Sequence, residues 1–191
     1  NADNLKYTFI WDEDINKFTS SEINVENAVK ETFTEVTKNR EYDLVVKTPD
    51  SGIVKVSVPK GVCQGVSQVG NIESEIKSIT VDKQGPTCGN VEIKNISPTG
   101  YDVYVYDVVD NYSGVNRIQF PTWTENNGKD DIQDNWETNV VAKGTLQPDG
   151  TTWVYRVNIT DHNNEYGIYN TSIYLYDNLE KEIFQKDIET Q

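Results

Sequence analysis

Apolar and polar residues alternate with a period of two along most of the chain, and no long segment repeats with the period of a helix. Over residues 5–11, Leu5, Tyr7, Phe9 and Trp11 fall on one face, the pattern of a half-buried strand ended by Asp12-Glu13-Asp14, read as a solvated turn with a cation site as the alternative. Strands follow at 33–37 and 42–48, while 23–30 suits either a strand or a short helix. Pro49-Asp50-Ser51-Gly52 is turn chemistry, because proline presets φ and glycine tolerates positive φ. The returning strand, 53–58, sets Val54, Val56 and Val58 on one face. A glycine-rich loop over 60–71 leads to a strand at 76–82 and then to the polar connector Asp82-Lys83-Gln84-Gly85-Pro86-Thr87.

After the connector the pattern restarts. Strands are expected at 91–96, 101–109, 115–120 and 151–160, the last with Trp153, Tyr155, Val157 and Ile159 on one face. Residues 101–109 are large on both faces, as in a central strand or one whose outer face meets another domain. Residues 169–177 and 181–188 read as a closing hairpin. The chain is thus expected to be all-β: two tandem antiparallel sandwiches, 1–86 and 87–191. Between strands lies an acidic, turn-rich stretch, 117–136. It breaks at Pro121, carries Asp130 and Asp131 side by side, and is shouldered by Trp123 and Trp136.

Charge narrows the partners. With 17 Lys and Arg against 31 Asp and Glu, the net charge is −14. That balance opposes nucleic acid, anionic membranes and phosphate-rich wall polymers, and prefers a neutral glycan or a protein partner. No segment has the roughly 20 apolar residues of a membrane span. The start at Asn1-Ala2 and the lack of methionine suggest an excised piece of a larger protein, with an export signal or wall anchor able to lie outside it; a monomer is expected. Cys63 and Cys88 are expected at opposite ends of a sandwich, too far apart to bridge.

His162 is the single histidine, so any Ser-His-Asp or Cys-His arrangement would pass through it. It lies in the hydrophilic run Asp161-His162-Asn163-Asn164, without a nucleophile motif, and its expected job is to tie the loop to a backbone carbonyl or to Asp161. One histidine and two distant cysteines do not make a zinc site. Asp130 or Asp131 is expected to cap a turn by accepting backbone N–H bonds. Two alternatives stand beside that reading. Asp130, Asp131 or Glu125 could serve a glycan hydrolase, or Asp130, Asp131 and Asp134 could offer hard oxygens to calcium, though without EF-hand spacing. No cofactor and no catalytic residue is assigned. The candidate ligand residues are Trp123, Glu125, Asp130, Asp131, Trp136 and His162, with Trp153 expected in the core.

Two resemblances add to this. Tyr7-Thr8-Phe9-Ile10-Trp11, the run Gly52–Gly61, Val69-Gly70-Asn71 and the closing Val81–Thr87 resemble the Ig-like modules repeated in bacterial surface proteins, with the usual first strand truncated. Phe120-Pro121-Thr122-Trp123-Thr124-Glu125, then Gly128-Lys129-Asp130-Asp131-Ile132 and Trp136, resemble the first signature of the GBS Bsp-like repeat. Its second is carried by Asp149-Gly150, Trp153, Asp161-His162-Asn163, Gly167-Ile168-Tyr169-Asn170 and Ile173–Asp177. The resemblance implies Ig-like folds in both halves and a place at the cell surface or wall of a Gram-positive bacterium, often beside peptidoglycan hydrolases. It implies no catalytic residues. The expected work is therefore positioning a partner domain, or binding to cell-wall or host glycan or to a protein. The rivals are the glycan hydrolase and a mechanical stalk without a ligand.

Overall fold

The alternating segments form strands throughout a computed structural model, which describes residues 3–190. Among these residues there is no α-helix, only three short 3-10 turns. The chain divides into two units, Asn1–Lys83 and Gln84–Gln191.

In the first unit the strands are β1 (Asn4–Ile10), β2 (Ile15–Asn16), β3 (Asn24–Glu26), β4 (Val29–Thr37), β5 (Glu41–Lys47), β6 (Ser51–Ser57), β7 (Gln64–Gly65) and β8 (Lys77–Asp82). One sheet has the order β1-β5-β4, another β3-β6-β8, and β2 pairs with β7. All of these pairs are antiparallel. The ambiguous 23–30 segment becomes β3 and the start of β4. It follows a 3-10 turn, Ser20–Glu22, closed by a capping box between Thr19 and Glu22. The core joins Leu44, Val46 and Val54 to a ring cluster centred on Phe18, which meets Phe9, Trp11, Phe33 and Tyr42 with centroids 5.1–5.7 Å away. Edge-to-face contacts of this kind contribute about 0.5–1.5 kcal/mol each beyond burial. The Asp12–Asp14 turn is tied down: Arg40 Nε donates to Asp14 at 2.7 Å, and Glu13 accepts from Ser67.

The second unit comprises β9 (Val91–Ser97), β10 (Gly100–Val105), β11 (Val115–Gln119), β12 (Thr122–Thr124), β13 (Thr145–Leu146), β14 (Trp153–Asn158), β15 (Tyr169–Asp177) and β16 (Glu182–Thr190). One sheet runs β13-β14-β10-β9. In the other, β15 pairs with β11, β12 and β16. β10 is central, as its two large faces predict. Tyr101, Val103 and Val105 point into the core, while Tyr104 and Tyr106 stack on the outer side beneath the Lys94 ammonium. The core is closed by Phe120 stacked on Tyr155 at 5.0 Å and by Trp153, Ile173 and Leu175. Pro121 interrupts an edge without ending it. Gln119 pairs with Tyr174, and Thr122 resumes the ladder opposite Thr171. Pro121, which has no N–H to give, still accepts a bond from Ser172 N at 3.0 Å.

Both cysteines are free thiols, Cys63 buried and Cys88 half-buried, and burial pushes both thiol pKa values up.

Candidate functional site

Alternation along β15 sorts its side chains. Tyr169, Thr171, Ile173 and Leu175 face the core, so Asn170, Ser172, Tyr174 and Tyr176 lie on the outer side of the sheet. Register carries this sorting to the neighbours. Trp123 is paired with Asn170, and both of its chain neighbours, Thr122 and Thr124, are buried. Glu189 pairs with Asn170, Asp187 with Ser172, and Phe184 with Tyr174. A bulge between Ile173 and Tyr174 shifts the register so that Phe184, half exposed, lies beside Tyr174 at 5.2 Å.

The acidic loop folds over the Tyr174 end of this face. Trp136 comes down on Tyr174 with ring centroids 4.5 Å apart. Gln119 Nε2 donates to Glu137 O at 2.9 Å, Arg117 Nε reaches the same carbonyl at 3.2 Å, and Asn139 caps the turn Val140–Ala142. The result is a platform of three rings, Trp136, Tyr174 and Phe184. Toward Trp123 runs a polar row of Asp187, Asn170 and Glu189, with Ser172 buried beneath it and its hydroxyl donating to Asp187. The distance from Asn170 to Tyr174 along the strand is about 14 Å at roughly 3.4 Å per residue. At the other end Arg117 lies over the ring of Tyr176, 3.9 Å from its centroid, and pairs with Glu180 at 2.7 Å. Burial first, and then Glu182, Asp187 and Glu137, raise the Tyr174 phenol, which therefore remains a neutral hydroxyl.

The six residues singled out from sequence separate into two groups. Trp123, half-buried, holds the Lys129 ammonium over its ring at 3.8 Å. Trp136 belongs to the platform. Glu125 and Asp130 are exposed, and Glu125 accepts from Asn170 Nδ2 at 3.5 Å.

Asp131 and His162 are interior side chains, a correction to their place among ligand residues. His162 is fully buried; its Nδ1 donates to Asp131 Oδ2 at 2.9 Å, and its ring stands edge-on to Tyr169. Both Asp131 oxygens accept from Thr124 N, at 3.1 and 3.0 Å. The histidine's partner is thus neither a backbone carbonyl nor Asp161 but a carboxylate 31 residues earlier. The hydrophilic run around it concealed this, because only the imidazole turns inward while Asp161, Asn163 and Asn164 stay at the surface. The arrangement is a brace: it fastens the start of the acidic loop to β12 and to the 159–167 turn. Gln133 adds a second tie, accepting from Thr122 N and donating to the Tyr155 hydroxyl. Asp130 and Asp131 therefore do not face one another across a cleft, and Asp131 has no oxygen free of a protein donor.

Tyr174 and Phe184 were missed in the sequence reading. Large rings at the outward positions of an otherwise alternating strand were the signal, legible for Tyr174 once 169–177 is taken as a strand with Ile173 and Leu175 inside.

Antiparallel sheets packed on a core define a β-sandwich module, with rings gathered on one outer sheet face. The chain belongs to the GBS Bsp-like repeat family, whose model matches residues 90–190, a surface-protein module type. No curated protein matches the chain. Among solved structures it is similar to the FN1–FN3 domains of chicken CNTN1, with 15% identity and a TM-score of 0.34. That alignment covers 97% of this chain and 62% of the other. No helix among the described residues is long and apolar enough to cross a membrane.

Proposed function

We propose that the chain is a non-catalytic accessory region of an exported Gram-positive cell-surface protein or cell-wall hydrolase. In this reading the second unit binds a neutral glycan on the outer face of β12, β15 and β16, and the first unit, a bacterial Ig-like module, is a spacer. The observation that carries it is the Trp136–Tyr174–Phe184 platform beside a row of side-chain amide and carboxylate groups. Ring faces suit the C–H surface of a sugar, and the polar row suits its hydroxyls. Asp187, Glu182, Glu189 and Glu137 make the face acidic, so a phosphate-bearing polymer is repelled and an uncharged one is not. Membership in the GBS Bsp-like family supports the surface location.

Retention on purified peptidoglycan at two salt concentrations tests this. The expected result is binding little changed by salt, with no reducing sugar released. Release of reducing sugar would make the chain a hydrolase, and failure to bind any glycan would leave a stalk.

A further inference from the structure

Two turns at one end of the second unit are built around aspartates, and neither belongs to the aromatic face. In the turn after Val109, Asp110 Oδ1 accepts from the N–H groups of Tyr112, Ser113 and Gly114 at 3.1, 2.8 and 2.7 Å. In the β15–β16 hairpin, Asp177 Oδ1 accepts from Leu179 N at 2.8 Å and Lys181 N at 2.6 Å. Asn178 stitches the turns together, its N–H donating to Gly114 O at 3.0 Å and its side-chain amide to Ser113 O at 2.8 Å. The amides thus fix both carboxylates in place. Asp110 and Asp177 each bring an oxygen within 4.8 Å of the other's.

One oxygen is unaccounted for. Asp177 is fully buried, yet its Oδ2 has no hydrogen-bond partner. A buried carboxylate oxygen with no donor is costly, and a second carboxylate beside it adds repulsion. A divalent cation between them answers both at once, since two carboxylates balance its charge.

We propose that Asp110 and Asp177 of the second unit hold a calcium ion. The ligand chemistry selects the metal. The pair offers only hard carboxylate oxygens, in turns rich in backbone carbonyls, with no imidazole or thiol in either turn. Calcium's flexible coordination accepts such an irregular set, whereas magnesium demands a near-octahedral one. Asp110 also lines an open hollow with Val115 and Trp153. The bound ion would clamp the start of β11 to the closing hairpin. This site is separate from the acidic loop, where Asp131 is already committed to His162 and Thr124.

The test is a calcium titration of the metal-stripped 191-residue chain followed by 15N–1H NMR. The expected result is one saturable site, with the amide shifts concentrated at Tyr112, Ser113, Gly114, Leu179 and Lys181. Asp177→Asn should weaken binding by at least about tenfold, because one of two charged ligands is lost. Asp130→Asn, in the exposed loop, should leave binding unchanged. No saturable binding up to about 10 mM calcium, beyond the range of extracellular calcium modules, would overturn the proposal. So would shifts scattered over surface carboxylates, or undiminished binding by Asp177→Asn. If that variant does not fold, the shift map of the native chain decides alone.

Discussion

Replacing Asp131 with alanine removes the acceptor on which two buried donors depend. Thr124 N loses both of its contacts, and His162 Nδ1 loses its only partner at 2.9 Å. Each stranded donor costs about 1–3 kcal/mol, and breaking a buried pair from one side typically costs about 3–5 kcal/mol. We expect Asp131→Ala to destabilise the second unit by about 3–5 kcal/mol, a large share of the roughly 5–15 kcal/mol that holds a domain together. At about 4 °C per kcal/mol for a domain of this size, the unfolding midpoint should fall by roughly 12–20 °C. His162→Ala and the double variant complete a cycle. Because the two side chains serve one another, the double variant should cost less than the sum by about 1–3 kcal/mol. Urea unfolding followed by tryptophan fluorescence reads these differences. A loss below about 1 kcal/mol for Asp131→Ala, or strict additivity in the cycle, would refute the brace.

Burial first raises the Tyr101 phenol to about 12, against an ordinary value of 10.0, and burial likewise raises Tyr155. Groups that hold their proton more tightly when folded give stability that is complete below pH 10 and lost as the pH climbs toward the folded value. The second unit should therefore lose about 1.4 kcal/mol per pH unit per tyrosine above pH 10; phenolate absorbance rising smoothly before unfolding would contradict this. Gly100→Ala should cost about 3 kcal/mol or more, because at φ +145° the new Cβ would lie 1.9 Å from Val157 O; a change within 0.5 kcal/mol in a urea melt would refute it. Cys63, 5% exposed and with its pKa raised by burial, should react with a thiol reagent only on unfolding, and rapid labelling of the native chain at Cys63 would show that its surroundings open.

The strands were legible where one face is buried and the other is wet. Leu5 to Trp11, Val54 to Val58 and Trp153 to Val157 each sit as their alternation predicts, because a period of two admits one register against a core. β2, β7, β12 and β13 were not legible. They span two or three residues each, too few to show a period, and are strands only through distant partners. The candidate site divides in the same way. Trp136 was found because it punctuates a polar loop, but its stacking on Tyr174 depends on Gln119 and Arg117 gripping Glu137 O, a contact spanning about 20 residues of loop. The Asp131–His162 tie joins two hydrophilic runs, each of which reads as surface by itself. Composition marks which residues are polar. It does not mark which single polar side chain folds inward to meet a partner.

The most direct test of the binding face compares the native chain with Tyr174→Ala and Phe184→Ala on purified peptidoglycan, using circular dichroism to confirm that both variants fold. Phe184 is half exposed, so its truncation should leave the fold intact. The account predicts that the native chain is retained, that either substitution reduces retention at least tenfold, and that no reducing sugar appears. Equal retention by folded variants would place the ligand elsewhere on the molecule and contradict the account.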